Sequence, residues 1–537
     1  MAITNFDFPG VTLTQVFEET QASTERTLSV AVVGTVYKTH KPDVETEAVK
    51  LFSGLLSTSV SADIPVDDGN KFDSAYPIKL TIKNGLRSTV ESGIEGTYSS
   101  DQLTFTGSYE NSAVGDTVVV VVVDKDSTKT TYLATVISVS SENEFTCSFS
   151  DAEVPTDATS YTCYPCKEFS GALPSSDYDV NNNNTVTISN NRIKSGDIYV
   201  DYREIVTKYN KQMGSVGTYT EVLETLGYPC ADNPMALAAY AAVAAGSNAV
   251  VYFIGVEDET ANAYTKALDY LDKYDNIYSI VPCSTDAAVI KACLTACVAI
   301  STDGESTVRR ALWYGIDTNA SSTDKITELI AQRKARTASE RACCIWADGL
   351  LFNGENVPNF VGAAAAAGMR SYEPCHRPLS NLGYSFFSIE ETDGFTNSEL
   401  KRLGAEGIWI IANNVDGLPV NKRQVTTAVS NNLNKDEESI VANADDIALS
   451  MCRIGRNLVG CSNINEDLLE SLRYTIVTLL EGYMVNKSGS AYIGPQLTEY
   501  ELVSLYQDTV QRDHVYADIT ITPPKPFNRF AMTLRII

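Results

Sequence analysis

The sequence predicts a multidomain protein mixing α/β and α+β architecture, with an all-β insertion near its start and extended strands at both ends. Three observations carry that prediction. Between about residues 200 and 395, apolar runs of strand length alternate with helix-length segments, the pattern of a mostly parallel sheet covered by helices. Between 46 and 199, Thr, Ser, Val, Asp and Asn dominate, and short alternating runs are separated by turn chemistry. Both ends alternate apolar with polar residues beside Pro-Gly or multi-proline breakers. The division expected is an N-terminal arm at 1–20, an α/β middle domain at 21–45 plus 200–395, the insertion at 46–199, a C-terminal α+β domain at 396–522 and a C-terminal arm at 523–537.

The first element follows Phe8-Pro9-Gly10, where Val11 and Leu13 alternate with Thr12 and Thr14 before Val16 and Phe17. That period of two is a half-buried strand. Leu28 to Tyr37 (LSVAVVGTVY) is apolar enough to be buried on both faces, as strands of a parallel or mixed sheet are. Within the insertion, Thr117 to Val123 pairs as a hairpin with Tyr132 to Val139. Its six consecutive valines predict a central, covered strand, because such a run on an open edge invites aggregation.

Pro234 to Gly246 (PMALAAYAAVAAG) has Pro at a helix start and Gly at its end, and leads into the strand Ala249 to Val256. Helix 258–273 precedes strand Ile277 to Val281, helix 285–300 precedes Ala311 to Tyr314, and helix 322–334 precedes Ala342 to Trp346. From about 395, Gly407 to Ala412 reads as a strand and Leu468 to Val485 as a helix. Ile519 and Ile521 then alternate with Asp518, Thr520 and Thr522. The run Pro523-Pro524-Lys525-Pro526 cannot donate ladder hydrogen bonds and separates that strand from a last one, in which Phe530, Met532, Leu534 and Ile536 alternate with Arg529, Ala531, Thr533 and Arg535.

An isolated strand of about ten residues satisfies neither its backbone groups nor its apolar face, so each end must pair with something. Pairing inside the same subunit and donation to a neighbouring copy both meet this need. The Pro-rich spacer favours donation, because it is a stiff tether of roughly 3 Å per residue. A head-to-tail exchange of that kind builds a helix unless its rotation closes a ring. The arm residues expected to dock are Val11, Leu13, Val16 and Phe17 at one end and Phe527, Phe530, Met532, Leu534 and Ile536 at the other.

Composition narrows the partners. Of the 537 residues, 44% are hydrophobic and 20% charged, an ordinary balance for a folded chain. A formal net charge of −27 repels phosphate backbones, so direct contact with nucleic acid or an anionic membrane is not expected. No stretch reaches the roughly 18 apolar residues of a membrane span, and the first residues lack the form of a secretion signal. Folding in a cytoplasm is expected.

Candidate chemistry is sparse, and the expectation is no enzyme, no metal and no cofactor. Only three histidines occur, His40, His376 and His514, none in a recognisable nucleophile–base context. Cys163-Tyr-Pro-Cys166 has redox or half-zinc spacing, but lies in the β-rich region without a strand-to-helix context or a second CxxC. Cys293 and Cys297 share a helix face, Cys343 and Cys344 follow a strand, and Cys375 adjoins His376. Most of the 12 cysteines read as small buried hydrophobes. The sharper alternative is crosslinking between subunits after release from a reducing cell, for which Cys163, Cys166, Cys230, Cys375 and Cys461 are the candidates. Gly362-Ala-Ala-Ala-Ala-Ala-Gly368 lacks the Lys-Ser/Thr of a phosphate loop and reads as a tightly packed small-residue helix.

Several motifs, taken in order, resemble a family. Phe8-Pro9-Gly10-Val11 runs into Phe17-Glu18-Glu19 and then Ser29-Val-Ala-Val-Val-Gly-Thr35. Asn233-Pro234 opens an Ala-rich helix followed by Gly246-Ser-Asn-Ala-Val-Val-Tyr-Phe. Ala405-Glu-Gly-Ile-Trp-Ile410 follows, and Asp518-Ile-Thr-Ile-Thr-Pro-Pro-Lys-Pro-Phe-Asn-Arg-Phe530 ends the series. This order is similar to that of contractile phage-type tail sheath proteins, including the sheaths of phage-derived injection particles. The resemblance covers some 300 residues; 46–199 matches nothing in it, as an outward-displayed insertion would.

The resemblance implies a subtilisin-like middle domain and a C-terminal domain lining the inside. It also implies six-fold rings stacked as a helical sheath around a tail tube, laced by exchanged arms and contacting baseplate and tail terminator proteins. Such a subunit is assembled in the host cytoplasm, resides in the virion, and contracts to drive the tube through an envelope. Two readings from other classes stay open: a cytoplasmic α/β enzyme with an accessory β domain, and a surface-layer or adhesin-type protein.

Overall fold

The computed structural model describes residues 28–42, 48–56, 59–90, 92–99, 102–107, 113–141, 144–149, 156, 158–181, 184–188, 192–210, 212–247, 249–302, 308–318, 322–391, 394–486, 493–528 and 532. Contacts divide the chain into two compact units, Lys38–Ile205 and the chain on either side of it. The N-terminal strand expected at Val11 to Phe17 lies outside the described residues.

The larger unit is built on an eight-stranded sheet. Its order is Gly214–Val216, Val251–Gly255, Ser29–Gly34, Ile277–Pro282, Ala311–Gly315, Ala342–Ala347, Ile408–Asn413 and Pro419–Asn421. The six inner strands run parallel and the two edges antiparallel. The inner strands are continuous apolar runs because both faces are covered. Val30 and Val32 of Ser29–Gly34 enter one core, while Ala31 and Val33 enter the other.

Helices Pro234–Ala245 and Phe360–Tyr372 pack in the first core. Helices Ala261–Leu271, Ala287–Thr302 and Asn397–Ala405 contribute to the second. Asn233 caps Pro234–Ala245 by accepting from the Ala236 amide, with Pro234 in the first turn. The small residues of 362–368 let two helices touch: a Cβ on Gly368 would lie 2.1 Å from the Ala242 carbonyl oxygen. One expectation is corrected here. The boundary placed near 395 does not separate Gly407 to Ala412 from the middle sheet, because Ile408–Asn413 pairs in parallel with Ala342–Ala347. Its Trp409 and Ile411 are fully buried in the first core; a strand apolar on both faces is stable only inside such a sheet.

After that sheet comes a 21-residue helix, Glu438–Leu458. Buried pairs fasten its first half to the sheet and its neighbours. Arg370 binds Glu438, and Asp445 accepts from the Tyr278 hydroxyl at 3.0 Å and from Arg341. Its second half joins helix Glu466–Met484 and the hairpin Glu499–Gln507/Val515–Thr522 around a small core of Ile447, Ile476, Leu480 and Leu497.

The unit Lys38–Ile205 is all-β apart from a single 3-10 turn at Ser175–Asp177 among its described residues. Strands Ile94–Ser99, Gln102–Thr106, Glu144–Phe149, Lys129–Ser141 and Thr117–Val123 pair in succession, and Ser160–Pro165 bonds to both Thr117–Val123 and Ile94–Ser99. The result is a closed six-stranded barrel with no free edge. Its interior holds Phe105, Val118, Val120, Val122, Val136 and Phe145, so the valine run is paired on both sides and covered. The same 13-residue strand, Ser160–Ala172, continues into a second sheet through Lys79–Ser88 and Ile193–Ile205, which packs over Leu80, Ile82, Ile198, Val200 and Tyr202.

Candidate assembly surface

The C-terminal hairpin is a two-stranded sheet in which Glu499 to Gln507 faces Thr522 to Val515, with an irregularity between Leu502 and Ser504. Among the described residues neither strand has a second partner, so each outer edge presents a row of backbone donors and acceptors. Alternation sorts its side chains. Tyr500, Leu502, Ile519 and Ile521 pack on the helices beneath, whereas Val503, Tyr506 and Tyr516 are exposed. Between this hairpin and the two helices runs an apolar groove of about 420 Å³, walled by Ile454, Leu458, Leu468, Leu472, Val515 and Ile519.

Beyond Thr522 the chain is extended through Pro523–Pro526. Its root is tied to the start of the long helix. Lys525 donates to the Asn434 side chain, and Asn528 Nδ2 donates to Glu437 Oε2 at 3.3 Å. Glu437 is fully buried. Burial pushes its carboxyl up to about 6, against the partly offsetting charge of Arg423, whose Nη2 lies 3.5 Å away. Of the arm residues expected from sequence, Phe527 is 81% and Met532 76% exposed. Val11, Leu13, Val16, Phe17, Phe530, Leu534 and Ile536 lie outside the described residues. The polar clasp at Glu437 and Asn528 was missed from sequence, where 91 residues separate the two and no pattern links them.

Every cysteine of the described chain is a free thiol. Cys163 is fully buried inside the barrel beside Cys147, and burial pushes its thiol well up. Cys166 is half-buried and pushed up to about 12 by the same cause. An extended strand turns residues i and i+3 to opposite faces, so Cys163 and Cys166 do not form a chelating pair. Cys230 is buried, and Cys375 is half-buried among Asp446, Asn443 and Gln496. Cys461 is exposed.

The imidazoles are likewise accounted for. His40 Nε2 lies 2.9 Å from buried Glu204 and stacks on Tyr202. His376 Nε2 bonds the Gly494 carbonyl at 3.2 Å, and exposed His514 lies 2.9 Å from Asp513. Among the described residues none is hydrogen-bonded to a Ser, Thr or Cys side chain, and no group of three or more His, Cys, Asp or Glu could hold a metal. No described helix is long and apolar enough to cross a membrane.

No family model and no curated protein matches the chain. Solved structures do. One is from the helical sheath of the anti-feeding prophage in its contracted state, at 12% identity and a TM-score of 0.45 over 60% of this chain and 87% of that one. Another is from the sheath complex of an extracellular contractile injection system, PVC, in its contracted state, at 11% and 0.46 over 60% and 86%. A third is the sheath tail protein of Desulfitobacterium hafniense, at 10% and 0.40 over 98% and 100%. The chain's structural neighbours are therefore sheath proteins of contractile injection systems and phage-type sheath tail proteins, at low sequence identity.

Proposed function

We propose that this chain is the structural subunit of a contractile tail sheath, which polymerises by exchanging its terminal strands between copies. The observation that carries the reading is the C-terminal hairpin. Among the described residues it is a two-stranded sheet with both edges open, beside a proline spacer that leads to exposed Phe527 and Met532. A two-stranded sheet is marginal in water and gains from added strands, and β-augmentation supplies them through main-chain bonds of about 0.5–1.5 kcal/mol each. The arms 1–20 and 523–537, with the alternating residues named above, are the strands to be donated. The order of sequence motifs supports the same reading independently of the hairpin.

On this reading the subunits stack as six-fold helical rings around a tail tube, bounded by baseplate and terminator proteins. The middle sheet is the subtilisin-like domain, the C-terminal region faces the tube, and the insertion points outward. Shortening releases free energy stored behind a kinetic barrier and needs no catalytic centre. The particle is a virion tail or a phage-derived injection device. Of the candidate thiols, exposed Cys461 is the one placed to form a crosslink that would lock it after release, whereas buried Cys163 and Cys230 are out of reach.

Electron microscopy of the concentrated, purified chain tests this. Long hollow tubes are expected. Deleting Phe527 to Ile537 is expected to abolish them while leaving the monomer folded. Tubes that persist in the truncated chain would remove the strand-exchange mechanism.

A further inference from the structure

We infer that a shallow depression at the end of helix Ser322–Lys334 receives a carboxylate side chain from a second copy of this chain. The depression, about 500 Å³, is lined by Arg333, Lys334, Arg336, Thr337, Glu406 and Val429 among others. Arg333 and Arg336 are only 4% and 8% exposed. Both guanidiniums bond to backbone carbonyls alone: Arg333 to Thr427, and Arg336 to Gln332 at 2.7 Å and Thr285 at 3.2 Å. The Nε of each is buried without a partner. Among the described residues no carboxylate pairs with either; the buried Arg370 and the half-buried Arg341 each hold one, while buried Arg310 bonds the carbonyls of Leu271 and Tyr274. Among the described residues lining the depression, the one carboxylate, Glu406, is bonded to Lys334 at 2.9 Å.

Carbonyl dipoles satisfy donors but do not cancel charge, and a nearly buried cation without a counter-charge is costly. The depression therefore keeps two positive charges on a chain whose overall charge is −27. Guanidinium groups take carboxylates in two-point contacts. With 68 Asp and Glu against 41 Lys and Arg, a neighbouring copy is the abundant source of such carboxylates. The inference rests on the polymer reading for its occupant, not for the charge imbalance. Exposed Thr337 and Ala338 at the rim allow an acid to be placed there without disturbing the buried arginines.

The test compares the full chain with T337E and A338E, and with T295E on an exposed helix position elsewhere as a charge-matched control. Sedimentation is expected to show at least a tenfold rise in the concentration needed for tubes in the first two and none in the control. A zero-length carbodiimide is expected to join Lys334 of one isotope-labelled copy to an Asp or Glu of an unlabelled one, less efficiently at high salt. Tubes with crosslinks absent and rim variants at the unaltered threshold would overturn the inference while leaving the sheath reading intact. Copy-to-copy crosslinks without tubes would support the inference and sink that reading. Protection of Lys334 by inorganic phosphate, with no crosslink between copies, would show a free-anion site and overturn it.

Discussion

Arg370 donates from Nε to Glu438 Oε1 at 2.8 Å and from Nη2 to Oε2 at 2.6 Å, with both side chains buried. Its remaining donors reach the carbonyls of Pro374 and Arg377, each at 3.0 Å. One side chain thus joins the small-residue helix, the loop after it and the first turn of the long helix. Breaking such a pair strands a charge in the interior, at about 3–5 kcal/mol. Arg370→Ala and Glu438→Ala are each expected to lower the urea midpoint by that equivalent. Arg370→Met combined with Glu438→Leu is expected to recover much of the loss, since two apolar groups need no counter-charge. A double variant no better than the singles would contradict this.

Glu437 predicts a pH dependence. Its carboxyl sits near 6 in the fold, above the usual range, because burial disfavours the ion. The folded state therefore binds a proton that the unfolded chain releases. This contribution is fully present below about 4.5 and is lost as pH rises through about 6. Glu437→Gln is expected to stabilise the protein at pH 7 by up to about 2 kcal/mol and to flatten the stability profile between those values. A variant destabilised at pH 7 would mean that the Arg423 contact outweighs desolvation.

Gly368→Ala is expected to be destabilising by about 1–3 kcal/mol, although alanine is the better helix former. The added methyl would meet Ala242 backbone, and backbone cannot rotate away. Gly404→Ala, where nothing lies within 4 Å, is the control and should gain slightly in thermal melts.

Cys461 should be the fastest of the five candidate thiols to react with a maleimide in the native state, and Cys163 should react only on unfolding. Accessibility decides this. Reagent uptake at Cys163 matching that at Cys461 would show that the barrel opens readily.

The parts legible in sequence were those with local causes. Runs such as AVVYFIGV announced buried strands because both faces of a parallel sheet are covered, and Pro234 with Gly246 announced a helix because start and stop signals are local. What escaped was non-local. Barrel closure depends on Ser160–Pro165 reaching strands on both sides, and no periodicity encodes a second neighbour. Strand Glu499–Gln507 (EYELVSLYQ) was unread because acids interrupt it, yet Tyr500, Leu502 and Leu505 turn inward. The long helix could have been found from Ile440, Ile447 and Ile454, spaced by sevens. The Glu438 and Asp445 partners could not, lying 68 and 104 positions away.

The amide of Val206 donates to the carbonyl of Val36 at 2.8 Å, so the chain leaves the larger unit and re-enters it at adjacent points. Closing that gap needs only a tight turn, and a chain lacking Lys38 to Ile205 would meet almost no added entropy of ring closure. Neighbouring entry and exit make the region a replaceable cassette. Insertions, deletions or exchanges confined to this region leave the strands and cores of the larger unit uninterrupted.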